Sequence, residues 1–472
     1  MVVGELTIES ELVVIGGGPG GHAAACRASE LGVDTTLVDD RPALGGSWLH
    51  EACVPSKQLV RLAATIRGAR AAATSGVEFS TPRIDIERLR ARTDETIARI
   101  AEDLTTRCRR QEVRHVVGTA RFESGRQLAV AGSSVAPRLR FRRAIIAAGS
   151  RERWPDGLRR DHPRITGTAE ALRRPSLCDR VLVMGGSASG LEVASIYAAL
   201  GSTVTLVYAG DELIPHADAD LTACVATHLR GQLASITPGV SIASVDDIAG
   251  VDDIDGGVRV SLDDGSPPQD FERVVIAIGR ASNLDDLDLA RTKVQLDEAG
   301  WITVDECLQT TDPRIFAIGD ATGEPMLALK AAHQGHLAAE RVAGWESTFD
   351  ARAIPAVLFT EPPLAWCGLT ERQLAEQSIP FAVQRSQWVA AGTAGNLPDG
   401  DGFTKIIYDP DTQLVLGVGI VGAGAGELIA ESALALEMGA VLTDLAATVH
   451  PHPSASETIG ALARGPTGTD GV

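Results

Sequence analysis

Short apolar runs that break at glycine recur along this chain, and two of them open onto longer helical stretches. Glu11–Ile15 is an apolar, β-branched run that meets Gly16-Gly17-Gly18-Pro19-Gly20-Gly21, and an alanine-rich pattern then predicts a helix to about Leu31. A second run, Thr35–Val38, ends in Asp39 and Asp40. The same order returns at Arg180–Met184, followed by Gly185-Gly186-Ser187-Ala188-Ser189-Gly190, a helix to about Leu200 and a strand Thr203–Tyr208. Runs at Ala144–Ser150, Val274–Arg280 and Arg314–Asp320 also finish in glycine turns. Such endings place their loops at the carboxyl edge of a parallel sheet, where open α/β folds bind ligands. From Ile354 the pattern changes to alternating strands (Ala356–Thr360, Phe403–Tyr408, Leu414–Val421) and then helices rich in Ala and Leu, a separate α+β region.

Each strand, glycine turn and helix reads as a dinucleotide unit. The turn lets backbone approach a pyrophosphate, and the amides at the start of the following helix meet its charge. The first unit has all three glycines of the motif, Gly16, Gly18 and Gly21, and an acid, Asp39, at the distance of a ribose hydroxyl. In the second, Gly185 and Gly190 remain while Ser187 replaces the middle glycine.

At 472 residues the chain exceeds what one core organises, so two to four domains are expected. A net charge of −19 disfavours nucleic acid and anionic membrane as partners. The arginine-rich stretches Arg107–Arg114 and Arg138–Arg143 are interleaved with apolar residues and read as solvated faces. The start, MVVGELTIES, has neither signal-peptide nor anchor character, and a cytoplasmic protein is expected. Seven scattered cysteines suggest reduced thiols, and none of their spacings suggests zinc or an iron–sulfur cluster.

Taken in order, these pieces resemble the dihydrolipoamide dehydrogenase, glutathione reductase and mercuric reductase family of flavin-dependent pyridine nucleotide oxidoreductases. The resemblance implies an α/β fold with two Rossmann-like dinucleotide-binding domains and a C-terminal α+β dimerisation domain. FAD would take residues 1–150 and 283–345, NAD(P) residues 151–282, and dimerisation residues 346–472. It implies FAD and NAD(P)H as cofactors. Gly16, Gly18, Gly21, Gly46 and Ser47 would then lie by the FAD pyrophosphate and Asp39 on its ribose, with Ala120 near the adenine and Gly149 closing the site. Asp320 would hold the ribityl chain and Leu327 and Ala328 would lie by the flavin ring; Gly185, Ser187, Gly190, Tyr208 and Gly279 would serve the nicotinamide coenzyme. Lys57 and Glu192 match a pair that sets the charge near flavin N5. The segment His450-Pro451-His452-Pro453 through Glu457 matches the family's acid-base motif, with His452 oriented by Glu457 and reaching the partner subunit's site in a homodimer.

One departure dominates. The segment GGSWLHEACVPSK resembles the family's redox-disulfide stretch, but its two cysteine positions are Trp48 and Cys53. Tryptophan neither forms nor attacks a disulfide, so a dithiol shuttle cannot run through this pair. Trp48 either fills the lost sulfur's space or offers an aromatic face to a planar acceptor. Cys53, near Lys57 and at a helix start, is expected to favour thiolate. Cys367 reads as a buried core cysteine. The second unit's strand ends in Tyr208-Ala209-Gly210, with neither the acid of NADH-preferring nor the arginines of NADPH-preferring members, which leaves the coenzyme open.

The leading expectation is therefore an NAD(P)H oxidoreductase that passes electrons from reduced flavin directly to a small non-disulfide acceptor, a quinone foremost, like the quinone-reducing branch of dihydrolipoamide-dehydrogenase-like proteins. The alternatives are reduction of a small disulfide, persulfide or metal ion through Cys53 alone, flavin-dependent dehydrogenation of a specialised metabolite, and a non-catalytic FAD-binding component.

Overall fold

The computed structural model describes residues 7–133, 135, 137–248, 256–388 and 402–465. The outer ends of the first and last expected domains, residues 1–6 and 466–472, lie outside these. Strand β1 (Thr7–Ile15) runs through the first glycine turn into α1 (Pro19–Glu30) and β2 (Thr35–Asp39). Helices α2 (Gly46–His50), α3 (Cys53–Ala71) and α4 (Ile86–Arg110) follow, then β3 (Arg114–Val117), β4 (Thr119–Ser124), β5 (Gln127–Ala131) and β6 (Arg138–Ile146). The sheet order is β3-β2-β1-β6-β5-β4. β6 is the hinge of this sheet: its first half pairs antiparallel with β5, and its last residues, Ala144–Ile146, pair in parallel with the later strand Ile315–Ala317. Its burial follows suit. Arg138, Arg140 and Arg142 alternate with buried Leu139 and Phe141, whereas Ala144–Ile146 are buried without a break, as expected where helices cover both faces. The outward arginines pair with Glu123, Glu9 and Glu11, which is the solvated face expected of this stretch.

After β7 (Ser150–Glu152), β8 (Ile165–Gly167) and α5 (Thr168–Arg173), the second unit is built from β9 (Arg180–Met184), α6 (Ala188–Leu200), β10 (Thr203–Tyr208), α7 (Ala219–Arg230) and β11 (Ser235–Pro238). An antiparallel flap of β12 (Ile242–Ile248), β13 (Gly257–Leu262) and β14 (Gln269–Phe271) precedes β15 (Arg273–Ile276), and the five-stranded order is β11-β10-β9-β15-β8. Strand β16 (Arg280–Ser282) pairs with β7 and returns the chain to the first sheet through β17 (Ile315–Ala317) and α8 (Ala328–Val342). The final region packs a sheet of β18 (Ala356–Leu358), β19 (Leu364–Gly368), β20 (Ala382–Gln387), β21 (Phe403–Tyr408) and β22 (Val415–Val421) against α10 (Ala425–Met438) and α12 (Glu457–Ala463), with the short α9 (Glu371–Glu376) and α11 (Leu442–Ala447) at its margins.

One apolar cluster crosses these units. Leu59 and Ile66 of α3, most of α6, and Leu358, Leu364, Phe403 and Val421 of the C-terminal sheet share a single core. A buried charge joins the same seam: Lys405 of β21, 1 % exposed, reaches Asp218 and Asp220 at the start of α7 at 2.9 Å each, and Glu371 at 2.5 Å. Among the described residues no helix is long and apolar enough to cross a membrane.

Candidate active site

Cys53 opens α3 and Lys57 follows one helical turn later, so both project from one face of its first turns. Lys57 Nζ lies 3.0 and 2.9 Å from the two carboxylate oxygens of Glu192, on the nearly all-buried α6. The N–H of Phe359 donates to Glu192 Oε1 at 3.1 Å, and the Lys57 ammonium stands 4.0 Å from the centre of the Phe359 ring. Glu192 is 8 % exposed, and both of its oxygens are hydrogen-bonded, as a buried carboxylate requires. Phe359 was not visible as a member of this group in the sequence, where it lies 167 residues from Glu192.

Trp48 sits in α2, half-buried against the apolar patch of Leu49, Ile97 and Ala101, which it shares with α4. Its indole Nε1 is buried with no hydrogen-bond partner. Cys53 is free and exposed, yet the expectation of a thiolate does not hold: burial around the sulfur pushes its pKa up, outweighing the nearby Lys57. Lys57 is committed to Glu192, whose own charge opposes ionisation of the thiol. Cys367 is buried as expected, and its pKa is pushed up to about 12 by burial.

At the first glycine turn, Asp39 accepts hydrogen bonds from the N–H groups of Gly17 and Arg41. Gly46, in a left-handed conformation, comes up beside Gly18: a Cβ there would fall 2.7 Å from the Gly18 Cα. Gly18 itself is open, with nothing nearer its missing Cβ than 4.0 Å. Ser47 lies in α2, and Ala120 is buried in β4. Three loops from distant parts of the chain are tied together by Arg280, whose Nε donates to Ser150 Oγ and whose guanidinium donates to Ser150 O, both at 2.7 Å. Ser150 Oγ in turn donates to Asp320. Asn283 donates to the carbonyls of Ala148 and Gly149, so Gly149, Gly279 and Asp320 border one place. Leu327 caps α8 and Ala328 begins it. Lys330, two residues on, is buried, donates to Gly323 O at 2.9 Å and has its pKa lowered by that burial; no motif in the sequence marks it.

In the second unit, the Ser187 hydroxyl donates to Ala277 O at 3.3 Å. Tyr208 is 8 % exposed and its ring lies against Gly186 and Leu213. The two histidines of the C-terminal motif separate clearly. The His450 side chain is 7 % exposed and paired with Glu431 at 2.8 Å, whereas the side chain of His452 is 78 % exposed with Nδ1 2.9 Å from Glu457. The His452 bond, followed by one from Ser454 N–H, holds the Glu457 carboxyl below the usual glutamate range. Within one chain no hydrogen bond or ion pair among the described residues links His452 to Cys53, Lys57 or Glu192.

Comparison with known proteins decides the lineage. The pyridine nucleotide-disulphide oxidoreductase profile matches residues 10–335, and the dimerisation-domain profile of the same name matches residues 354–463. The chain belongs to this family. Family members use FAD and NAD(P)H, and the C-terminal match supports a homodimer. Among its relatives is the dihydrolipoyl dehydrogenase of Vibrio cholerae, 36% identical over 459 residues and spanning 97% of this chain and 95% of that protein. Dihydrolipoyl dehydrogenase 2 of Haloarcula marismortui is also 36% identical, over 98% of this chain and 99% of its own length. In structure the chain is similar to LpdA from Mycobacterium tuberculosis, with a TM-score of 0.86, 27% identity and coverage of 96% and 99%. The residues present fit FAD. The open Gly18 opposite Gly46 leaves a cradle at a helix start, and the orphaned Trp48 indole N–H is a buried donor needing an acceptor.

Proposed function

We propose that this protein oxidises NADH or NADPH and delivers the electrons directly to a small non-disulfide acceptor, with a quinone as the class best suited. The observation that carries the reading is Trp48. Its half-buried indole packs on α4 at the position where the family pattern has a second thiol, which leaves Cys53 without a partner sulfur and with a raised pKa. FAD, when bound, accepts a hydride and gives up two electrons. The overall balance is NAD(P)H plus one proton plus quinone, giving NAD(P)+ and hydroquinone, and no thiol enters it.

The chain's residues divide that work. Lys57, fixed by Glu192 and Phe359, supplies a positive charge beside the site of hydride arrival. The first unit (residues 1–150 with 283–345) holds FAD and the second (151–282) the coenzyme. In the homodimer, the exposed His452 of one subunit faces the other subunit's pocket. Glu457 keeps its imidazole oriented and able to give a proton to the reduced acceptor. Seven free cysteines suit a reducing compartment, the cytoplasm.

The test is coenzyme oxidation by the FAD-loaded protein with a soluble quinone, lipoamide and glutathione disulfide as separate acceptors. Turnover with the quinone that survives Cys53→Ser supports the reading. Turnover with a disulfide, lost in Cys53→Ser, replaces it with single-thiol chemistry at Cys53.

A further inference from the structure

Away from the flavin-side group, three soft donors converge inside the first nucleotide unit. His22 and Cys26 stand one turn apart on α1 and face Cys108 near the end of α4, 82 residues from Cys26. Cys26 and Cys108 are each 1 % exposed and His22 is 7 % exposed. Their sulfurs are 3.9 Å apart, His22 Nε2 is 3.7 Å from Cys26 Sγ, and all three ligand atoms lie within 4.8 Å of one another.

Two core thiols in contact would by themselves be packing. The imidazole aimed at the same point changes that, and the edge lengths say how. A metal with thiolate bonds of about 2.3 Å and an imidazole bond of about 2.0–2.1 Å, at tetrahedral to trigonal angles, sets its sulfurs about 3.8–4.0 Å apart and sulfur from nitrogen by about 3.6–3.8 Å. The two measured edges, 3.9 and 3.7 Å, already have these lengths. A disulfide needs its sulfurs at about 2.05 Å. The third edge, from Cys108 Sγ to His22 Nε2, lies within 4.8 Å, so a small shift of the imidazole completes the triangle.

We propose that His22, Cys26 and Cys108 form a buried site for one soft d10 ion, copper(I), which three such donors complete. Two thiolates select soft ions. Zinc in structural sites takes four ligands, and among the described residues only these three side chains form the group. Loading releases one proton from each thiol, and copper stays monovalent throughout. His22 moves its proton to Nδ1, and Nε2 exchanges its 3.1 Å contact with Leu104 O for the metal; that carbonyl also serves the backbone ladder of α4. The ion clamps α1, which carries the first glycine turn, to α4.

The experiment uses the full-length FAD-loaded protein in a Cys53→Ser background, which removes the exposed thiol. It is incubated anaerobically with copper(I) buffered by a competing chelator and then desalted. One copper per chain is expected, with two sulfur neighbours and one nitrogen by X-ray absorption, and a raised thermal midpoint because only the folded state binds the ion. Cys108→Ser and His22→Phe should each retain less than about a tenth of that copper under the same competition. Should either variant fail to fold, the X-ray absorption of the parent still decides: fewer than two sulfurs overturns the proposal. No retained copper, equal retention in Cys108→Ser, or a thiol count showing Cys26 and Cys108 already oxidised to each other overturns it as well.

Discussion

At Gly21 and at Gly190 an added Cβ would fall 1.8 and 2.0 Å from the carbonyl oxygen of the glycine opening each turn, Gly16 and Gly185. A Cβ added to either opening glycine would come nearly as close to the carbonyl just past a neighbouring strand, 2.3 Å from Ala147 O for Gly16 and 2.0 Å from Ala277 O for Gly185. In both units helix, turn and strand thus meet with no room for a side chain. The units part where a ligand would lie: Gly18 is open and followed by the hydrogen-bonded Asp39, whereas Ser187 bonds back to the protein and Tyr208 packs over Gly186. The lesson is that positions joining protein to protein are kept alike in the two units, while positions that would touch a nucleotide differ between them.

The strongest way to break the comparison is to fill both crowded positions. Gly21→Val should leave the purified chain with less than about a tenth of its flavin and destabilise it by about 3 kcal/mol or more, because the close contact is with backbone. Gly190→Val should keep flavin absorbance but stop its reduction by coenzyme. If Gly190→Val strips the flavin as well, the two units do not act separately. Next in size, Lys57→Met should slow flavin reduction by roughly 100-fold in stopped-flow absorbance while flavin stays bound, since it removes the fixed charge that the proposed function puts beside the flavin.

Tyr208→Glu would make the second strand end like the first, and about a tenfold gain in kcat/KM for NADH relative to NADPH is expected. An unchanged ratio would mean that Tyr208 lies off the ribose. The pH response of stability sharpens the same contrast. Burial pushes Asp39 above its ordinary value of 3.8, so the folded chain holds that proton more tightly than the unfolded chain. Its contribution is complete below the ordinary value and is lost as pH rises through the raised one. Asp39→Asn should abolish this part of the thermal midpoint's pH dependence, and Tyr208→Phe should leave it intact. The smallest effect belongs to Ser187→Gly, within about twofold on coenzyme KM, because serine and glycine differ by only a few tenths of a kcal/mol at a helix start.

Much of this architecture was readable from runs and glycines. Arg180–Met184, Thr203–Tyr208 and Phe403–Tyr408 are strands with the predicted bounds, because a short β-branched run ended by glycine or a polar turn has few other structures open to it. Helix α4 gave no such signal: its long charged surface carries few buried residues, among them Ile97, Ala101 and Cys108. Lys57 and Glu192 were matched by motif, but the Phe359 contribution comes from tertiary packing across the C-terminal sheet and has no local pattern. The sequence around Cys53 shows a helix start and a lysine but not the desolvation that only folding creates, and that desolvation raises the thiol's pKa. Spacing likewise says nothing of Cys26 meeting Cys108, since the approach depends on how α1 and α4 lie together.

Lys405 has a mechanical consequence. Its ammonium belongs to the C-terminal sheet while Asp218 and Asp220 belong to the second nucleotide unit, so parting the two would leave a cation now shared by three carboxylates with Glu371 alone. Together with the apolar core that α6 and α7 share with Leu358, Leu364, Phe403 and Val421, this ties the second unit to the C-terminal sheet.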